Sequence, residues 1–173
     1  MSKFNIYVKP AHKLLQVWNM FKARKSIEQV EESDELAPKF DENGLIVVTT
    51  IDAKSGEVLM TGYMNKDALE KTIETKEAHY FSRSRNAIWH KGATSGYVQK
   101  IEEMLIDDDQ DAICLKVNIG ENGASCHVGY KSCFYREIDL EDTANKPGLK
   151  FKTKEKVFDP KDVYGDAPNP TKL

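Results

Sequence analysis

The chain has no apolar run near the ~20 residues a bilayer-spanning helix requires, and its N-terminus lacks the basic-then-apolar layout of a secretory signal. Both absences point to a cytoplasmic protein with no membrane partner. Charge of one sign is also lacking. With 25 basic against 28 acidic residues the net charge is -3, which argues against a general nucleic-acid or membrane surface and makes any anion site local. Cysteine is scarce: Cys114, Cys126 and Cys133 are an odd set of three, and a cytosolic setting disfavours pairing them as disulfides. Thiolate metal ligands or plain buried thiols are what remains. No P-loop and no dinucleotide-binding glycine fingerprint occurs, and the His-x-Glu with a later Cys-x-x-Cys of nucleobase deaminases is missing. Without internal repeats or low-complexity tracts, 173 residues suffice for one domain with a real core plus extensions.

Between residues 10 and 30, Leu14, Val17, Trp18 and Phe21 recur at helical spacing among Lys13, Lys22, Arg24 and Lys25. They predict an amphipathic helix packed on the body or on a second subunit. The acidic stretch at 31–35, followed by Pro38, should end it as a linker. The run Ile46, Val47, Val48, Thr49, Thr50, Ile51 predicts a buried strand, and a turn at Lys54, Ser55 and Gly56 returns the chain over 58–63 as a hairpin. Asn65 is suited to cap a helix from Lys66 to about Lys76, with Asp67 in its first turn and Ala68, Leu69, Thr72 and Ile73 on one face. Short strands follow near 78–82, 98–106, 112–119 and 134–138. The expected class is α+β, mainly antiparallel strands with one central helix. Residues 1–40 are read as a helical extension, 41–139 as the central domain and 140–173 as an extended tail, because Pro147, Pro160, Pro168 and Pro170 lie among charges without a period.

Three constellations could carry chemistry. In Asp107, Asp108, Asp109, Gln110, Asp111, an extended backbone would project Asp107, Asp109 and Asp111 to one side and Asp108 to the other. Three carboxylates on one side suit Mg²⁺ or Mn²⁺, and the competing reading is a solvated acidic turn. Cys126, His127 and Cys133 offer thiolates and an imidazole to Zn²⁺ with room for a bound water, although two structural thiols fit equally well. Ser82, Arg83, Ser84 and Arg85, followed by Trp89, His90, Lys91, Gly92, Ala93, Thr94, Ser95 and Gly96, combine phosphate-binding cations, small donors and an aromatic face for a purine.

Taken in order, these segments resemble one family. Val58, Leu59, Met60, Tyr63, Met64, Asn65, Ala68 and Leu69 lead into Glu77, Ala78, His79, Tyr80, Phe81 and Ser82 to Arg85. Trp89 to Gly92, Thr94 to Gly96, the aspartate cluster and then Cys126, His127, Gly129, Ser132, Cys133, Phe134, Tyr135 and Arg136 complete a pattern similar to the phosphoribosyl-AMP cyclohydrolases over about 45–137. The resemblance implies hydrolytic opening of an adenine ring between N1 and C6, a step of histidine biosynthesis that yields an imidazole carboxamide. It also implies an intertwined homodimer that binds zinc through residues of both subunits, and magnesium near the aspartates. Carried over, Asp107, Asp109 and Asp111 would hold Mg²⁺, Cys126 and Cys133 would hold Zn²⁺, and His127 would be the general base. Arg83, Arg85, Trp89, Thr94 and Ser95 would bind the nucleotide substrate, with His90 and Lys91 also engaging it and stabilising charge on the leaving nitrogen.

One position departs from the family, which usually has a cysteine as third zinc ligand between the first two metal-binding aspartates. Here that position is Asp108. Cys114 lies six residues further on, roughly 20 Å along an extended strand at ~3.3 Å per residue, too far for simple substitution. A Cys₂Asp set is harder than Cys₃, so the expectation is retained activity with weaker zinc binding or another divalent metal such as Mn²⁺ or Fe²⁺. A paralogue acting on a related nucleotide or cyclic amidine, and a non-catalytic metal-binding interaction protein, are the competing readings. The tail carries no sign of the long helices of a fused pyrophosphohydrolase domain, so a monofunctional protein is expected.

Overall fold

Strand pairing starts from the β-branched run. In the computed structural model, which describes residues 20–141, 147–167, 169 and 171, β1 (Leu45–Asp52) is buried at every second position, with Ile46, Val48, Thr50 and Asp52 facing inward. The turn after Asp52 returns the chain as β2 (Val58–Asn65), antiparallel to β1 with Val48 opposite Gly62. Asn65 then accepts a hydrogen bond from the Ala68 N–H (2.9 Å) and caps α2 (Lys66–Thr75), which buries Ala68, Leu69 and Thr72 as their spacing requires. Lys76 ends the helix in the left-handed region.

β3 (His79–Ser82) pairs with β4 (Ala87–His90) as a separate two-stranded ribbon. β4 was not among the expected strands. β5 (Lys100–Ile106) and β6 (Ala112–Asn118) form an antiparallel hairpin, and β6 joins β1 in parallel, giving the sheet order β2-β1-β6-β5. Antiparallel pairing therefore predominates, with a parallel pair at the centre. One face of this sheet meets α2 and Tyr80 in the core, while Val47, Thr49, Ile51 and Cys114 on the other face are half-buried. Among the described residues no helix is long and apolar enough to cross a membrane.

Both extensions differ from expectation. Residues 10–19 of the expected amphipathic helix lie outside the described residues. Where the chain is described, 22–26 carry no regular structure, and a short helix α1 (Ile27–Glu32), capped by Ser26, spans the end of the expected helix and runs into the start of the stretch expected to be an acidic linker. The Ser26 cap and the Gln29 side chain, which accepts from the Lys25 N–H (2.9 Å) and donates to Glu35 (2.7 Å), hold that turn. The C-terminal segment is not simply extended. β7 (Arg136–Ile138) pairs with β8 (Leu149–Phe151), and α3 (Pro160–Tyr164) follows, capped by Asp159 with Pro160 at its first position. Every residue of β7 and β8 is exposed, so the hairpin carries none of the apolar alternation by which a strand is recognised.

Candidate active site

The loop after β6 closes on itself before it meets β2. Ser125 N–H donates to the Lys131 carbonyl (2.8 Å), Cys126 N–H to Tyr130 (3.1 Å) and Gly129 N–H to Cys126 (3.1 Å). Cys133 N–H donates to the Leu59 carbonyl (2.7 Å) and Ser132 Oγ to that of Val58 (2.7 Å), so the end of the loop is stitched to the start of β2. This brings the Cys126 and Cys133 thiols into hydrogen-bond contact. That contact holds the Cys126 thiol down to about 6 against the opposing effect of burial, helped by the Val128 and Tyr130 backbone N–H groups and by His127. Cys133 is pushed up by the same contact and by burial of its sulfur, since a second negative charge would lie beside the first. Ionisation of one thiol therefore opposes ionisation of the other. Although Cys133 is an exposed residue, its sulfur turns inward to Cys126 and Lys91.

Lys91 reaches this pair from β4. Its N–H donates to the Ala78 carbonyl (2.9 Å), and Gly92, at φ +90°, has no room for a Cβ against the Tyr97 backbone. The loop 92–96 closes there, with Gly96 N–H on the Gly92 carbonyl (2.7 Å). Lys91 is only 6% exposed; burial pushes its ammonium down, and the Cys133 and Cys126 sulfurs pull it back up. A cation thus lies beside a thiol pair inside the protein. Beneath it runs a buried chain: Thr50 Oγ1 to Tyr80 OH (2.6 Å), Tyr80 OH to Gln99 Oε1 (2.8 Å) and Gln99 Nε2 to Ser125 Oγ (2.9 Å). Gly62 leaves room for the Tyr80 ring, where a Cβ would sit 2.9 Å from it. Each link satisfies a buried polar group, and the last precedes Cys126.

The remaining sequence candidates are distributed around this centre. Trp89 is half-buried, tilted against Tyr80 at 5.4 Å between ring centroids, with Arg85 5.8 Å and Lys91 6.0 Å from its ring. Arg83 covers Tyr63 at 4.1 Å, and Arg83, Arg85 and Thr94 are exposed while Ser95 is half-buried. His90 turns elsewhere: its ring stacks on His79 (4.5 Å), and a Glu77 carboxylate oxygen lies 2.8 Å from its Nε2. Close as that oxygen is, Nε2 is buried and makes no hydrogen bond. His127 Nε2 is likewise buried and without a partner. Glu77, Gln99 and Ser125 were not among the predicted site residues; Gln99 stands between Val98 and Lys100, and nothing in that spacing marks it as buried in the site.

The aspartates form the β5–β6 turn and are not extended. Asp107 Oδ1 accepts from the Asp111 and Ala112 N–H groups (2.9 Å each), and Gln110, at φ +58°, buries its side chain against Ala37, Val30 and Glu35. The alternation expected for Asp107, Asp109 and Asp111 against Asp108 is therefore absent. The oxygens of Asp107, Asp108 and Asp109 converge within 4.8 Å, while Lys39 Nζ bridges Asp109 (3.1 Å) and Asp111 (3.0 Å). These two carboxylates raise the Lys39 ammonium, Asp111 more strongly. Donor chemistry separates the two ends of β6. The thiol pair, with the Cys126 thiol held low and an orphaned imidazole nitrogen on the next residue, fits a soft divalent cation; the acidic turn, where a lysine already sits as a cation, fits a hard one. Within one chain they lie roughly 20 Å apart along β6.

Lys131 fixes the cysteine loop to β1. Its ammonium meets Asp52 (2.8 Å) and Glu57 (3.0 Å). Burial pushes the Asp52 carboxyl up, but Lys131, the Ser55 hydroxyl and the Lys54 N–H outweigh it and hold it below its ordinary value. A depressed folded pKa gives stability that is complete above the unfolded value of about 3.9 and lost as pH falls through the lower folded one. Asp52→Asn should therefore cost roughly 1–2 kcal/mol at neutral pH, and urea denaturation should show the gap closing in acid. A gap independent of pH would contradict the ionic reading.

Comparison with known proteins follows the same residues. The family model for phosphoribosyl-AMP cyclohydrolase matches residues 60–135. A phosphoribosyl-AMP cyclohydrolase of Rhodopseudomonas palustris (strain BisA53) is 54% identical over 137 residues, covering 79% of this chain and 92% of the relative. One from strain HaA2 is 50% identical over 143 residues, covering 83% and 95%, and one from Rhizobium leguminosarum bv. trifolii (strain WSM2304) is 51% identical over 136 residues, covering 79% and 89%. At this identity and coverage, the chain belongs to the phosphoribosyl-AMP cyclohydrolase family.

Proposed function

We propose that this enzyme hydrolyses 1-(5-phosphoribosyl)-AMP, opening its adenine ring in histidine biosynthesis. The observation that carries the reading is the Cys126–Cys133 thiol pair with the Lys91 ammonium buried against it. In the reaction a water oxygen adds to C6, the C6–N1 bond breaks, and N1 takes up a proton as C6 becomes the carboxamide carbon. Addition to an aromatic carbon calls for a strong nucleophile and for charge stabilisation at the ring nitrogen. Cys126 and Cys133 would hold a divalent cation, which would supply a bound water acidified toward neutral pH.

The chain's own residues divide the remaining work. His127, next to a sulfur ligand and with a buried, unpartnered Nε2, accepts the proton of the attacking water. Lys91 delivers positive charge, and then a proton, toward N1; His90, drawn to Glu77 and His79, supports the same wall from a step away. Trp89 backs the purine, while Arg83, Arg85, Thr94 and Ser95 take its phosphates and hydroxyls.

The third ligand comes from a second copy. Asp108 and the thiols lie at opposite ends of β6, so a site containing both requires a homodimer, and the half-covered face of Val47, Thr49, Ile51 and Cys114 supports such pairing. Asp107, Asp109 and Asp111 would hold Mg²⁺, which would displace the Lys39 ammonium from Asp109 and Asp111. Asp108 in a Cys₂Asp set shifts preference from zinc toward Mn²⁺ or Fe²⁺. The test is hydrolysis of phosphoribosyl-AMP by chelator-stripped protein resupplied with Mg²⁺ plus Zn²⁺, Mn²⁺ or Fe²⁺ in turn, followed by ultraviolet absorbance. Turnover with at least one is expected. Folded protein inactive with all of them would overturn the reading.

A further inference from the structure

We propose that Phe158, on the C-terminal segment between β8 and α3, is a positioning residue that clamps the cysteine loop to the substrate loop. Its backbone and its ring touch different halves of the site. Val157 and Phe158 N–H groups both donate to the Gly129 carbonyl (2.7 and 3.4 Å). Gly129 sits at φ +99°, and a Cβ there would overlap the Phe158 carbonyl oxygen, so the two backbones lie flush. Gly129 in turn closes the turn on Cys126. The Phe158 ring stacks on Tyr97 (5.1 Å, 16°), and the Tyr97 backbone lies against Gly92, next to Lys91. Tyr164 of α3 also meets the Phe158 ring, edge-on at 6.0 Å.

The clamp explains why a segment without apolar periodicity is nevertheless placed. Thiol and ammonium come from loops far apart in sequence, and Phe158 ties those loops together in addition to the buried Gln99–Ser125 hydrogen bond (2.9 Å). It lies outside the stretch matched by the family model, at 60–135. The segment is largely exposed, so loosening it leaves the core intact while letting the nucleophile and substrate drift apart. A displacement of about 1 Å between reacting groups can cost on the order of 100-fold in rate.

This inference rests on the proposed reaction, and its test has an arm that does not. In full-length, metal-loaded protein, Phe158→Ala should lower kcat on the order of 10- to 100-fold with KM within about three-fold, while Phe158→Tyr, which keeps the stack, stays within about two-fold. A purely structural role would lower the melting temperature without changing kcat per folded molecule. In metal-free protein, iodoacetamide should alkylate Cys126, only 4% exposed, about ten-fold faster in Phe158→Ala at fixed pH, read by site-resolved mass spectrometry. Wild-type kcat in Phe158→Ala, or an unchanged alkylation rate, would overturn the clamp. If the wild-type protein itself fails to open the substrate, the functional reading falls and the alkylation ratio alone decides the clamp.

Discussion

Replacing either loop cysteine by serine should abolish turnover, by about a thousand-fold or more, and remove the bound transition metal, whereas Cys114→Ser should leave both within about two-fold. The contrast follows from position. Cys126 and Cys133 are in hydrogen-bond contact and face Lys91, while Cys114 stands in mid-β6 opposite Thr49 and Leu105, on the sheet face away from the core. A serine hydroxyl keeps the size of the thiol but neither ionises near neutral pH nor binds a soft cation well. Metal analysis of the three purified variants, with kcat for each, makes the check. Equal losses in all three would mean that the cysteines matter for packing and not for the site.

Lys91→Met should lower kcat on the order of 100- to 1,000-fold with a smaller change in KM, because methionine fills the volume and removes the proton and charge offered to the departing ring nitrogen. The variant should still fold, since exchanging a buried charge for an apolar side chain of similar size is often neutral or stabilising. The pH profile adds a signature. Burial depresses the Lys91 ammonium, so wild-type activity should fall on the alkaline side earlier than an ordinary lysine would allow, and the variant should lose that limb. Steady-state kinetics across pH, with thermal melts as a folding control, decide the matter. A variant within about three-fold of wild type would remove Lys91 from the chemistry.

Local signals were the ones legible in the sequence. The Asn65 cap, the apolar face of α2 and the β1–β2 hairpin each depend on neighbours within a few residues, and the structure reproduces them. β4 is only Ala87–His90, held by its pairing with β3 after the positive-φ Asn86, so its cues lie in the ribbon and not in its own composition. The acidic run looked extended because Gln110 gave no warning. Its side chain, tied to Val30, Glu35 and Ala37, pins a turn that only tertiary contacts reveal. The residue types of the site could be listed beforehand, but not that Lys91 and not His90 meets the thiols. That choice depends on Gly92 closing against Tyr97 and on Glu77 drawing His90 away, neither of which has a period or a spacing.

The most direct test of ring opening at the thiol site is to run the metal-supplied enzyme on phosphoribosyl-AMP in water enriched in oxygen-18 and weigh the product. Attack at C6 with loss of the C6–N1 bond predicts an imidazole product carrying one heavy oxygen, in its carboxamide, with no ammonia released. A product that keeps the purine ring and has exchanged its exocyclic nitrogen for oxygen would contradict the account and make the protein a deaminase.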